Sequence, residues 1–135
     1  MTEPIQAARP GIGKSVDLPF DETLDKVEKA LEREGFGVLT RIDVKATMKK
    51  KLDVDFPPFQ ILGACMPAMA HKALVADPEI ALMLPCNVVV RGLEGGGTRV
   101  EVVNTAAMSM MFPRAGIEEV ASTVGRHLDR VLDAI

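Results

Sequence analysis

The stretch that most constrains the fold is a pair of short apolar runs separated by glycines. Cys86 to Leu93 is rich in valine, and Thr98 to Val103 alternates apolar with polar residues. Between them stands Glu94-Gly95-Gly96-Gly97, a loop whose glycines accept the positive φ angles of a tight reversal. Two such runs so joined form an antiparallel hairpin. An antiparallel sheet can leave one face to solvent but needs a partner layer on the other.

The partner layer is readable on both sides of that hairpin. Upstream, Phe20, Leu24, Val27 and Leu31 recur at helical spacing. Asp21 is the expected N-cap of that helix and Gly35 its stop. Acid-first pairs four apart, Glu22 with Lys26 and Asp25 with Lys29, support it. Downstream, Ile117, Val120, Val124, Leu128, Val131 and Ile135 form one stripe of a long terminal helix.

Four further elements fill the order. Ile12 to Leu18 reads as a first strand. Phe36, Val38, Thr40 and Ile42 alternate as a second, with these four expected on one face. Asp43 is placed to cap a short helix carrying Val44, Met48 and Leu52, and Pro57-Pro58 interrupts the chain after it. Phe59 to Cys65 reads as a buried third strand. Pro67 suits the first turn of a helix running to about Ala76, with Asp77-Pro78 ending it and a short turn following to Leu84. Asn104 to Pro113 is expected as an irregular, methionine-rich connection. The predicted class is α+β, a mixed or antiparallel sheet with helices packed on one face, in the order β-α-β-α-β-α-β-β-α. Residues 1–11 are expected as a flexible N-terminal arm and 12–135 as a single domain.

Composition excludes several functions. With 135 residues, 47% apolar and 26% charged, the chain has enough core material to fold without staples. The net charge of -3 and the lack of Trp and Tyr leave neither a basic track nor stacking platforms for nucleic acid. Lys49-Lys50-Lys51 with Lys45 is flanked by Asp43, Asp53 and Asp55 and reads as a solvated helix face. No window is long and apolar enough to span a membrane, and the first residues lack the apolar core of a secretory signal. Two cysteines are too few for a disulfide scaffold, so a soluble, cytoplasmic protein is expected.

The segments Leu62-Gly63-Ala64-Cys65-Met66-Pro67, Met83-Leu84-Pro85-Cys86-Asn87-Val88-Val89-Val90 and Gly35-Phe36-Gly37-Val38 resemble the domain of unknown function 302 family, over roughly residues 15 to 135. In that family the first segment more often reads Cys-Asn-Pro, with Asn where Met66 stands here. The resemblance implies a compact α+β fold similar to the TATA-box-binding-protein fold, and a homodimer. It implies no particular activity, and a fold likeness transfers no function.

Chemistry-bearing residues concentrate around the two cysteines. Cys65 is expected at a strand end before the helix opened by Pro67, and Cys86 at the start of the next strand. A thiol at a helix N-terminus favours thiolate. Thiols in bonding range would permit a disulfide or a soft-metal site, with Met66, Met69, His71, Met108, Met110 and Met111 as further soft donors suited to monovalent copper. Cysteine and methionine also serve as plain packing residues. The amides at the Pro67 helix start, with Asn87, offer polar anchors beside apolar walls, as ligand sites need. Catalytic constellations are thin. Ala8-Arg9-Pro10-Gly11-Ile12-Gly13-Lys14-Ser15 matches a phosphate loop with Ala for the first Gly, but it lacks the strand before and the helix after that such a loop requires. His127 is expected to face solvent. No zinc spacing and no nucleophile elbow occur, so no cofactor is assigned.

The sequence therefore leans away from an enzyme. It points to a dimeric small-ligand or partner-binding module with its site at Cys65, Met66, Met69, Pro85, Cys86, Asn87, Met108 and Met111. The alternative is a thiol-redox or copper(I) protein using Cys65 and Cys86.

Overall fold

Val88, Val90, Val100 and Val102 lie on one face of the hairpin and are almost wholly buried. They form the centre of a five-stranded sheet. In the computed structural model, which describes residues 9–135, the strands are β1 (Gly11–Val16), β2 (Gly37–Asp43), β3 (Phe59–Cys65), β4 (Cys86–Gly92) and β5 (Thr98–Val103). Their spatial order is β1-β5-β4-β3-β2. Every neighbouring pair is antiparallel, so the sheet is not mixed. The expected N-terminal arm lies, up to residue 8, outside the described residues.

The helices are α1 (Phe20–Arg33), α2 (Val44–Leu52), α3 (Pro67–Ala76), α4 (Thr105–Met111) and α5 (Ile117–Asp133), with a short 3-10 helix at Pro78–Met83. Val27 and Leu31 of α1 and Leu128 and Val131 of α5 seal the interlayer against Leu62, Val88 and Val90. The helix-period stripes read from the sequence face the core, with Val27, Leu31, Ile117, Val124, Leu128 and Val131 buried and Phe20, Leu24, Val120 and Ile135 half-buried against them. Residues Leu31 to Phe36 close α1 with a Schellman motif: Phe36 N–H donates to Leu31 O (2.9 Å) and Gly35 N–H to Glu32 O (3.0 Å). Gly35 sits at φ +89°, which a side chain would strain.

Four sequence expectations need correction. The connection from Asn104 to Pro113 is not irregular, because Thr105–Met111 is α4. Asn104 caps it, its side chain accepting from Ala106 N–H at 3.1 Å, and alanines and methionines are good helix formers. The order becomes β-α-β-α-β-α-β-β-α-α. Asp21 is not the N-cap of α1. Pro19 holds that place, and Asp21 and Glu22 lie in the first turn, where the helix dipole favours acids.

The alternation read in β2 breaks at Leu39. Val38 pairs with Ala64, but after a register shift Thr40 pairs with Gly63 and Ile42 with Ile61. The extra residue sends Thr40 and Ile42 to the face away from Leu62 and turns Arg41 toward α1, where it ion-pairs with Glu28. Finally, His127 is not free in solvent. Its Nδ1 lies 2.8 Å from Glu34 Oε1, and its ring stands edge-on to Phe36.

Other readings hold. Asp43 caps α2 through Ala46 N–H at 2.9 Å. No residue of α2 is buried, and Lys49 pairs with Asp53 and Asp55, as a solvated face should. Gly11 to Ser15 lies inside β1, which leaves no loop there to cradle a phosphate. Among the described residues no helix is long and apolar enough to cross a membrane.

Candidate functional site: an apolar cavity under the helices

Near the end of β3 and the beginning of β4, the helices stand off the sheet around a cavity of about 280 Å³. The floor is Ala64 and Cys86, cross-strand partners on one face of the sheet, and Cys65 borders the space at the very end of β3. Met69, Ala70, Ala73 and Leu74 of α3 form one wall, and Val120, Ala121 and Val124 of α5 form another. Met108 of α4 and Phe36 complete the enclosure, and Leu39, the bulge residue of β2, stands exposed at the rim. The space exists because alanines face each other where larger side chains would meet. Ala64 projects from the sheet, Ala73 from α3 and Ala121 from α5, all of them buried.

The lining is chemically uniform. Among the described residues, no charged side chain contributes to it. The Thr105 hydroxyl is already committed, donating to Ala121 O at 2.7 Å. The remaining side-chain heteroatoms are sulfurs, those of Cys65, Met66, Met69, Cys86 and Met108. Cys86 is buried, and burial, with a smaller contribution from Cys65, pushes its thiol up from 9.0 to about 11. Cys86 is therefore a neutral thiol at neutral pH, a small and weakly polar wall group rather than a nucleophile.

Six of the eight residues proposed from sequence line this one space: Cys65, Met66, Met69, Pro85, Cys86 and Met108. Two do not. Asn87 pairs in register with Gly63, one residue out of phase with Cys86 and Val88, so its exposed side chain leaves the opposite face of the sheet. It cannot join the Pro67 helix start in holding a ligand. Met111 ends α4 beyond the cavity; it is 63% exposed and borders a shallow depression with Asp77 and Arg114.

The cysteines share the wall without forming a pair. Both are free, and the cross-strand partner of Cys86 is Ala64, not Cys65. Among the described residues no cluster of three or more His, Cys, Asp or Glu is placed to hold a metal. His71 is exposed and does not line the cavity.

Sequence reasoning missed Phe36, the alanines and the α5 wall. The signal available was Ala70 and Ala73, three apart on α3, facing an α5 stripe that itself carries Ala121. Small residues at facing core positions mark either close helix approach or a void, and spacing alone does not separate the two.

A second polar cluster lies behind the wall. Glu34 Oε1 takes Arg130 Nε at 2.8 Å as well as His127, and these neighbours hold the Glu34 carboxyl below its usual range. Arg130 provides the largest effect and His127 the next. Phe36, which is both edge-on to His127 and part of the cavity lining, connects the cluster to the cavity.

No curated protein matches this chain. Among solved structures, an uncharacterized conserved protein DUF302 from Bacillus stearothermophilus is similar, with a TM-score of 0.85 and 29% identity. The match covers 94% of this chain and 98% of that one. The family model described as domain of unknown function DUF302 matches residues 12–135, and the chain belongs to that family.

Proposed function

We propose that the protein is a non-enzymatic binding module whose small-molecule site is the cavity between β3, β4 and helices α3 and α5. The observation that carries this reading is the convergence of two chain segments about twenty residues apart on one apolar space. Cys65 to Met69 supplies one side and Pro85-Cys86 the other, with Met108 above. A volume of about 280 Å³, apolar and partly open, resembles a ligand pocket more than a packing defect. Methionine walls adapt to the shape of an occupant. Free thiols at Cys65 and Cys86 accord with a reducing, cytoplasmic setting.

Soaking crystals with a fragment library tests the reading. The expected result is fragment density against Cys86, Met69 and Met108. Fragments found only elsewhere would end it.

The reading extends to a homodimer. Ile42, on the sheet face away from the helices, and Leu52 and Val54, at the end of α2, are 45–66% exposed. Such apolar exposure suits contact with a second copy. Sedimentation equilibrium of the chain and of Ile42→Lys is expected to show a dimer weakened by the charge, and a monomer in both would refute the extension.

One observation favours a second reading, a copper(I) or thiol-redox site: five sulfur-bearing residues line the same cavity. The raised Cys86 thiol counts against it, because thiolate ligation there must first remove a proton that burial holds. Competition against a copper(I) chelator separates the two readings. Retention of the metal by the protein supports the second, and its complete loss to the chelator supports the first.

A further inference from the structure

Resting on the reading of the cavity as a ligand site, we propose that it selects an uncharged, predominantly hydrocarbon ligand and rejects ions of either sign. The ligand class is an alkyl chain of about eight carbons or a two-ring aromatic.

The size follows from the volume. An engineered apolar cavity of about 150 Å³ accepts benzene. The present space of about 280 Å³ is nearly twice that and asks for nearly twice the hydrocarbon.

The charge selection follows from the wall. A carboxylate drawn inside would meet Ala64, Ala73, Met69 and Met108, with no cationic side chain among the described lining residues to pair it. An ammonium would find no carboxylate among those residues either. An unpaired charge moved from water into such surroundings loses its hydration and gains nothing in return. The rim continues the pattern, since Leu39 and Leu74 stand at least one-third exposed on the lining and neither can hold an ionic head group. A neutral polar atom fares differently. A hydroxyl placed near Cys86 meets a weak donor and acceptor at little cost.

The Thr105 hydroxyl gives its hydrogen to Ala121 O, so it offers a ligand only a neutral acceptor and no donor for an anion. Binding is therefore driven by hydrophobic transfer and sorted by charge.

Calorimetric titration of the full chain with 1-octanol, octanoate and octylammonium at neutral pH tests the proposal. Octanol is expected to bind at least tenfold more tightly than either ion of the same length. Ala73→Leu, which fills the space from α3, is expected to lower octanol affinity at least tenfold. Ala70→Leu serves the same purpose if the first variant does not fold.

Octanoate or octylammonium binding as tightly as octanol would overturn the charge selection while leaving a ligand site in place. Octanol binding undiminished in a folded Leu variant would place the hydrocarbon elsewhere and overturn the proposal. No binding by any of the three would overturn both the proposal and the reading beneath it.

Discussion

Where α1 lies over β4 beside the C-terminal half of α5, the interlayer is filled by Val27, Leu31, Val90, Leu128 and Val131, all at most 1% exposed. Where α3 and the N-terminal half of α5 cover the ends of β3 and β4, the same interlayer is lined by Ala64, Ala73, Ala121 and Met108 around an open volume. Sheet, helices and hydropathy are common to both regions, and side-chain volume is what differs. Hydrophobic patterning thus builds the two-layer fold, while the choice of alanine over leucine decides whether a given part of it is solid or hollow.

The largest effect should come from removing volume in the filled region. Leu31→Ala is expected to cost about 4 kcal/mol in urea denaturation, because fully buried leucines leave cavities that close poorly. Met69→Ala, at a wall that already borders empty space, is expected to cost about 1 kcal/mol. Equal losses would erase the distinction between the regions.

Adding volume sharpens the contrast. Ala30→Leu forces extra methylenes into a packed site and is expected to cost about 3 kcal/mol. Ala73→Leu has room for the same atoms and is expected to stay within about 1 kcal/mol of the parent. A Leu at position 73 as damaging as one at position 30 would mean the cavity is not available space.

The alkaline limb of stability probes the cavity floor. The Cys86 thiol is raised from 9.0 to about 11 in the folded chain, so the unfolded chain loses that proton first. The stabilisation is complete below pH 9 and is lost as pH rises toward 11, about 2–3 kcal/mol in all. Cys86→Ala is expected to flatten that slope, whatever it does to stability at pH 7. An unchanged slope in the variant would show that the thiol titrates in the folded chain as it does in solvent.

The smallest effect lies at the Glu34 cluster. Its carboxyl is held below 4.5 by Arg130 and His127, so its contribution is present above that value and lost as pH falls through the depressed pKa. Glu34→Gln is expected to make the acid limb shallower below pH 4.5. An identical acid limb would show the pairs to be energetically silent, as many surface ion pairs are.

The sequence made the fold legible wherever periodicity was long. The β4–β5 hairpin and the stripes of α1 and α5 were readable because four or more residues repeated one pattern. Short elements were less so. Seven-residue α4 holds only two turns, and its cap, Asn104, directly follows a strand. A single bulge residue, Leu39, was enough to reverse the faces of Thr40 and Ile42, and nothing in local composition announces a bulge.

The site was legible through its unusual residues, cysteine and methionine, and not through the alanines that create it. Asn87 was misplaced because nearness in sequence to Cys86 was read as nearness in space. In a strand, adjacent residues face opposite ways.

On the proposed reading, the space beside Cys86 takes up an apolar molecule. The most direct test of that reading is an NMR titration of the chain, labelled with carbon-13 in the methionine methyl groups, with naphthalene. The account predicts shifts at Met66, Met69 and Met108, which line the cavity, and none at Met110 or Met111, which are exposed. Shifts confined to Met110 and Met111, or none anywhere at saturating naphthalene, would contradict it.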